Sequence, residues 1–472
     1  MCFLGEQDAR GELEFAIERA TEQGVEQNQT ATVLKFHLKE KTVAEISDLL
    51  DITVEQVQQI IAKYEKNKNA NQPMFLIDAL RSPIANFAGA LSTVRADDLA
   101  AYVIQKLVQK YPHIPLTAYE EVILGCANQA GEDNRNVARM ATLLAGLPVT
   151  VAAETVNCLC ASGMAAVVHA YRAIQNGDGD LFIAGGVEQM TRAPWVISKT
   201  SMPFGRDAEM HDSSFGWRFV NPKMKTLYGI DAMGETAENL ADQHQISRAD
   251  QDTFALWSQQ KAAKAQQAGI LAQEITAVQI PQRKGDDLVL EHDEFIKPHT
   301  TLDGLTRLRP AFRSDGGTVT AGNASGLNDG AAALLLASQK AVNQFELKPL
   351  ARIIATGVAG VAPRIMGIGP VEATRKALEK ANLTLADMNI IELNEAFAAQ
   401  ALACTRSWGI ADNDPRLNPN GGALALGHPL GMSGARIIQA AAFELQRSQK
   451  RYALATMCVG VGQGYAVVLE RV

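Results

Sequence analysis

Two cysteines and a histidine each stand in a short glycine-bearing turn at the end of an apolar run. Cys160 lies in Asn157-Cys158-Leu159-Cys160-Ala161-Ser162-Gly163, His428 in Gly427-His428-Pro429-Leu430-Gly431, and Cys458 in Cys458-Val459-Gly460-Val461-Gly462-Gln463-Gly464. In such turns a side chain and backbone N–H groups face one ligand together. A cysteine at a strand-to-helix junction gains thiolate character from the unpaired N–H groups and partial positive charge of the helix N-terminus. The helix expected from Gly163 places Cys160 at that end, and small Ala161, Ser162 and Gly163 leave room for an acyl group. Cys158 points to the same face if the strand continues through it, so residue types alone leave both cysteines open, with Cys160 the better placed.

His428, in a rigid turn before a proline, is placed to work as a base on a thiol and to approach a carbonyl oxygen. Cys458 is suited to a different task. Breaking a carbon–carbon bond next to a thioester leaves an enolate that must be protonated, and a thiol of near-neutral pKa can give or take that proton. Gly460 adds a backbone N–H to the same turn with no side chain in the way. Asn394, in Asn394-Glu395-Ala396-Phe397, stands at another strand end, where it can hold a water or donate directly to an oxyanion, while Glu395 orients the turn. The chemistry is acyl transfer with stabilised oxyanions. Zinc fits poorly, because Cys158-Leu159-Cys160 lacks the C-x₂-C spacing. The glycine-rich Gly322–Gly326 and Gly460–Gly464 stretches lack the dinucleotide fingerprint.

The elements that must position these turns are of two kinds. Residues 1–74 are glycine-poor, with 13 acidic and 8 basic side chains up to Ala70. Apolar spacing predicts short helices at Val43–Leu50 and Val57–Tyr64, with Thr53 and Gln56 as a capping box, then a polar linker over Lys66–Pro73. This resembles half of a helix-turn-helix, but Thr53–Ile61 carries no basic residue to read DNA. The segment is read as a helical extension without catalytic role. From Phe75 apolar strands alternate with alanine-rich helices, which is α/β patterning. Strands are predicted at 121–125, 155–160, 181–186, 330–337, 351–357, 390–393, 452–458 and 465–469. Helices are predicted from 136, over 163–174, 249–268 and 370–381, and over 434–445. Residues 192–325 break the alternation and are read as a substrate-handling insertion. The second half repeats the order of the first, which predicts two similar domains: 75–348, carrying the insertion, and 349–472.

The 472 residues hold 52 acidic and 44 basic side chains, a net charge of -8, which argues against nucleic acid as a partner. Six cysteines are too few for a disulfide scaffold and fit a reducing compartment. The acidic start Met1–Asp8 has no secretory pattern and no run reaches a membrane span, so a cytoplasmic protein is expected.

From about residue 75 onward the chain resembles the thiolases. The matching motifs are Val156-Asn157-x-x-Cys160-Ala161-Ser162-Gly163, Gly185-Gly186-Val187-Glu188-Gln189-Met190, Gly322–Gly330, Asn394-Glu395-Ala396-Phe397, Gly427–Gly431 and Cys458-x-Gly460-x-Gly462. The resemblance implies a five-layer α-β-α-β-α arrangement of two similar domains with an inserted loop domain that binds coenzyme A, assembled as homodimers or homotetramers. It implies coenzyme A as co-substrate, with no permanently bound cofactor and no metal. Carried over, Cys160 is the acylated nucleophile, and His428 its activator and part of one oxyanion hole whose water Asn394 holds. Cys458 is the proton donor and acceptor. The N–H groups of Cys160 and Gly460 form the second hole, and Met233, Ser325 and Phe397 wall the coenzyme A channel.

Within that family the stretches 131–139, 216–222, 228–231 and 236–239 resemble the 3-oxoadipyl-CoA thiolases of aromatic-acid breakdown, the phenylacetate and β-ketoadipate routes. That implies cleavage of 3-oxoadipyl-CoA by coenzyme A to succinyl-CoA and acetyl-CoA. A distal carboxylate on the substrate needs a cation, for which Arg218 and Lys225 are the candidates. The alternatives are an acetyl-CoA acetyltransferase, a fatty-acid 3-ketoacyl-CoA thiolase, a condensing ketosynthase and a noncatalytic scaffold. The chain departs from the family at the Ala85–Gly89 turn, at Cys158 where Arg or Lys is usual, and at Gly234 where proline is frequent. The 74-residue leader is also foreign to the family.

Overall fold

The computed structural model describes Val33, His37, residues 41–69 and residues 72–472. The Met1–Asp8 stretch and positions 70 and 71 of the expected linker lie outside the described residues. The chain divides into two compact units near Gln72 and Pro73. In the first, helix α1 (Val43–Leu50) opens on a capping box in which Thr42 N–H donates to Glu45 Oε2 at 2.7 Å. Asp51 in the left-handed region ends it, and α2 (Val54–Asn69) follows. Thr53 N–H donates to Gln56 Oε1 at 2.9 Å, and Gln56 N–H returns to Thr53 Oγ1 at 3.2 Å, the box expected from sequence. Ile46, Val57 and Ile61 bury against Val33. The expected linker begins too early: α2 runs through Lys66–Asn69, because residues of moderate helix propensity continue a formed helix at little cost.

The second unit opens with β1 (Met74–Arg81), whose alternate residues face opposite ways. Met74 and Leu76 join one hydrophobic cluster, Phe75 and Ile77 another. Then come α3 (Ala96–Gln109), β2 (Glu121–Gly125), α4 (Val137–Leu144), β3 (Ala152–Val156), α5 (Ser162–Asn176) and β4 (Leu181–Gln189). The insertion contains α6 (Met233–Gln243), α7 (Arg248–Gln267) and two small hairpins, Trp195–Ile197 with Met210–Asp212 and Val278–Ile280 with Leu288–Leu290. β5 (Asn328–Ser338) closes the first half.

The second half is β6 (Ala351–Gly360), α8 (Gly369–Ala381), β7 (Ile390–Leu393), α9 (Ala398–Trp408), α10 (Leu430–Ser448), β8 (Tyr452–Val459) and β9 (Gln463–Arg471). The pairing repeats. β1 is antiparallel to β5, β5 to β4, and β4 parallel to β2, which is parallel to β3. Likewise β6 is antiparallel to β9, β9 to β8, and β8 parallel to β7. A parallel bridge from Ile391 to Leu417 stands where β3 stands in the first half. β1 and β6 pair through Met74–Leu76 and Ala351–Ile353, joining the half-sheets.

Three apolar clusters separate five layers. Leu99, Ile104 and Val137 of α3 and α4 cover one half-sheet, and Ala373, Leu378 and Leu402 of α8 and α9 cover the other. Between the sheets, Met164 and Val167 of α5 meet Ile437, Ile438 and Leu445 of α10. Each fully buried Leu or Ile contributes about 1.5–3 kcal/mol, so this central layer holds α5 and α10 firmly. Glycine permits the close approach at its edge: a Cβ on Gly186 would lie 1.9 Å from the Gly431 carbonyl oxygen. Among the described residues no helix is long and apolar enough to cross a membrane.

Candidate active site

The Cys160 turn is shaped by side-chain hydrogen bonds. β3 stops at Val156, short of the predicted strand over 155–160, because Asn157 turns the chain. Its Oδ1 accepts the Leu159 N–H at 3.0 Å and its Nδ2 donates to the Ala127 carbonyl at 3.0 Å. Leu159 is held at φ 48°, a conformation that favours glycine, and α5 begins two residues after Cys160. Ser162 Oγ accepts the Cys158 N–H at 2.9 Å and donates to the Leu159 carbonyl at 2.6 Å. With the strand broken, Cys158 and Cys160 do not share a face. The Cys158 sulfur lies 3.4 Å from the Tyr465 hydroxyl, whereas the Cys160 thiol is influenced by the backbone N–H groups of Gly460 and of Cys160 itself, both of which pull its pKa down.

Neither reactive thiol has the low pKa expected from its turn. Burial pushes Cys160 up to about 11, with the Glu188 charge adding to the rise and the two N–H groups opposing it. Burial also pushes Cys458 well above its ordinary value, with neighbouring Cys160 and Cys404 adding. Desolvation, at work on the buried Cys458 and on the half-buried Cys160, outweighs the neighbouring backbone N–H groups and favours the neutral thiol at both.

His428 is buried and its tautomer follows from its neighbours. Its backbone N–H donates to Asn328 Oδ1 at 3.0 Å. Ser433 Oγ donates to the Pro429 carbonyl at 2.8 Å and lies 2.6 Å from His428 Nδ1, so it accepts the Nδ1 proton. Nε2 then carries the lone pair, 3.4 Å from Asn394 Nδ2. Burial, followed by the Arg436 charge, lowers the imidazole to about 3. It is a neutral base.

Asn394 is fully buried, and among the described residues its Oδ1 has no hydrogen-bond partner. Glu395 accepts from Ser258 Oγ and from Asn418 Nδ2, both at 2.6 Å, which fixes the turn as expected from sequence. Ser325 N–H donates to the Ala396 carbonyl at 2.9 Å, and Ala324 bridges Phe397, so Ser325 and Phe397 come together on one short ladder. Met233 approaches Gly460, with its sulfur 3.7 Å from where a Gly460 Cβ would stand. A shallow cleft lined by Trp217, Tyr228, Asp231, Met233, Arg364 and Val461 adjoins this point.

Arg218 donates to the Ser213 carbonyl at 3.3 Å and to Asn128 Oδ1 at 3.4 Å, and neither contact neutralises its charge. Lys225 lies exposed on the short helix Pro222–Tyr228. Two departures from the family pattern also find an explanation. Glu294 Oε2 accepts the Asn86 N–H at 2.9 Å and stabilises the altered 85–89 turn. At Gly234 an added Cβ would stand 2.1 Å from the Phe312 ring, which packs edge-on against Phe397.

Sequence reasoning missed the partners of these groups. Ser433 and Asn328 set the histidine, and Glu188 accepts the N–H of Gly431 in the histidine's turn, although all three stand in or next to the family motifs. Ligand atoms of Cys126, Asp133 and Glu188 come within 4.8 Å of one another, but both Glu188 oxygens already accept backbone N–H groups.

Comparison with known proteins places this geometry. Residues 74–340 match the thiolase N-terminal domain and 347–471 the thiolase C-terminal domain. The chain is 58% identical over 398 residues to the 3-oxoadipyl-CoA/3-oxo-5,6-dehydrosuberyl-CoA thiolase of Escherichia coli K12, covering 84% of this chain and 99% of that one. It is 58% identical over 402 residues to the beta-ketoadipyl-CoA thiolase of Pseudomonas aeruginosa, covering 85% and 100%. A crystal structure of the Bacillus anthracis acetyl-CoA acetyltransferase, 40% identical, superposes with a TM-score of 0.79 over 86% of this chain and all of that one. Two matched domains, a repeated strand order and paired catalytic turns agree: the chain belongs to the thiolase family.

Proposed function

We propose that this thiolase cleaves 3-oxoadipyl-CoA with coenzyme A, giving succinyl-CoA and acetyl-CoA through an acyl group on Cys160. The observation that carries the reading is the buried His428, whose Nδ1 lies 2.6 Å from Ser433 Oγ and whose Nε2 faces Asn394 Nδ2 at 3.4 Å. Cys160 gives its proton to His428 Nε2 as the sulfur attacks the C3 ketone, and the C3 oxyanion rests on the Cys160 and Gly460 N–H groups. The C2–C3 bond breaks and its electron pair forms the thioester enolate. The enolate oxygen is held by His428 and a water ordered by Asn394, and Cys458 protonates C2 to release acetyl-CoA. Coenzyme A then gives its thiol proton to the Cys458 thiolate and attacks the acyl group. Cys160 leaves and recovers its proton from His428, so the protons balance over the cycle.

High thiol pKa values and a neutral imidazole suit this sequence, because the proton moves only as the sulfur attacks. The insertion 192–325 is read as the coenzyme A-binding loop domain, with Met233, Ser325 and Phe397 as channel walls, in a homodimer or homotetramer. Relatives more than half identical to the chain are 3-oxoadipyl-CoA or beta-ketoadipyl-CoA thiolases. Among the described residues Arg218 has no carboxylate partner, and it is the preferred cation for the distal carboxylate, with Lys225 the second candidate. Arg218→Gln is expected to lower kcat/KM for 3-oxoadipyl-CoA by on the order of 10- to 100-fold while acetoacetyl-CoA cleavage stays within about twofold. Equal losses on both substrates, for Arg218→Gln and Lys225→Gln alike, would remove the support for a dicarboxylate tail.

A further inference from the structure

One buried carboxylate reaches both catalytic turns. Glu188, near the end of β4, is 1% exposed. Its Oε2 accepts the Gly431 N–H at 2.8 Å and the Ala127 N–H at 2.9 Å, and its Oε1 accepts the Asn128 N–H at 3.1 Å. Gly431 stands three residues after His428 in the same turn. In the other direction the Ala127 carbonyl accepts Asn157 Nδ2 at 3.0 Å, and Asn157 Oδ1 accepts the N–H of Leu159, the strained neighbour of Cys160, at 3.0 Å. From a single oxygen, one hydrogen bond reaches the histidine's turn, and one peptide with one side chain reaches the nucleophile's turn.

Burial pushes Glu188 itself up to about 7 against the pull of its three N–H donors, so it is charged above neutral pH, and there a negative neighbour makes the Cys160 thiolate harder to form. A group serving thiol acidity would carry the opposite sign. Its usefulness is geometric: an ionised carboxylate is acceptor-only and satisfies three N–H donors that come from separate segments. A glutamine could offer them one oxygen and would turn its NH₂ toward a donor.

Building on the reading of Cys160 and His428 given above, we propose that Glu188 is a positioning residue whose Oε2 sets the placement of the Cys160 turn against the His428 turn. A displacement of about 1 Å in a site of this kind costs on the order of 100-fold in rate.

The test uses the full-length protein with acetoacetyl-CoA and coenzyme A, together with iodoacetamide alkylation of Cys160 followed against pH. In Glu188→Gln, kcat is expected to fall on the order of 100-fold with KM within about twofold. The alkylation midpoint is expected to move to lower pH, so that turnover falls although the thiol is the better nucleophile. Asn157→Ala keeps the charge and breaks only the link on the nucleophile side. It is expected to lower kcat with the alkylation midpoint unmoved. Wild-type kcat in either variant, or a fall in kcat matched by an equal slowing of alkylation at every pH, overturns the proposal. A wild-type protein that cleaves no 3-oxoacyl-CoA would instead overturn the reading of Cys160 and His428.

Discussion

The two halves of the second unit share one strand order and put their chemistry at the same place, yet they finish that plan differently. Cys160 stands two residues before α5 and His428 two residues before α10, so nucleophile and base are counterparts in the repeated plan. The halves diverge in the connection between their last two strands. In the first half β4 and β5 are joined by the long insertion, whereas in the second β8 and β9 are joined by Gly460–Gly462 alone. The tight turn sets Gly460 close to Leu159, the residue before Cys160, and Gly462, at φ 90°, lets it close. The insertion supplies Met233, Ser325 and Arg218. On the proposed reading, one connection supports the reacting atoms and the other handles the rest of the substrate, which would give a duplicated frame an asymmetric site.

That division breaks most sharply at the two cysteines. Cys458→Ala is expected to lower carbon–carbon cleavage by about 10³-fold or more, because general acid–base catalysis is lost. Exchange of labelled coenzyme A into succinyl-CoA is expected to fall less, because the coenzyme A thiol can lose its proton to water in place of Cys458, whereas C2 of the thioester needs a positioned acid or base. Equal loss of both reactions would show that the cysteines act as one unit. A smaller effect is expected at the tight turn. A Cβ at Gly460 would lie 3.1 Å from Leu159 Cδ1, so Gly460→Ala shifts the residue before the nucleophile and lowers kcat by about tenfold. An unchanged kcat would remove Gly460 from the account.

The base half also makes a prediction in pH. The unfolded chain protonates His428 near its ordinary value of 6.5, but the folded chain does not until about 3. Between those values the unfolded state binds more protons, so this contribution is whole above 6.5 and is lost as pH falls toward 3. Tm of His428→Gln is therefore expected to fall less steeply than wild type between about pH 7 and pH 4. A wild-type slope in the variant would place the acid sensitivity elsewhere. The smallest effect belongs to Cys158, which meets Tyr465 away from the Gly460 N–H. Cys158→Ser is expected to leave kcat within about twofold, read in the same cleavage assay.

Much of this was legible in the chain because periodicity and turn chemistry are local. β2 and β7 span the predicted strands 121–125 and 390–393 without shift, and the repeated order of elements gave the paired halves. The end of β3 was misplaced because the Asn157 side chain, gripping Ala127 thirty residues away, decides it. The thiol pKa values were misjudged for a related reason: the helix terminus is written next to Cys160, but the burial that outweighs it comes from packing of distant segments. Glu188 was passed over in a quoted motif, since none of its partners is near it in sequence.

The most direct test mixes wild-type protein with 3-oxoadipyl-CoA in the absence of free coenzyme A, quenches in acid and maps the modified peptide by mass spectrometry. The account predicts release of acetyl-CoA and a succinyl group on Cys160. A succinyl group on Cys158 or Cys458, or acetyl-CoA released with no acylated cysteine, would contradict it.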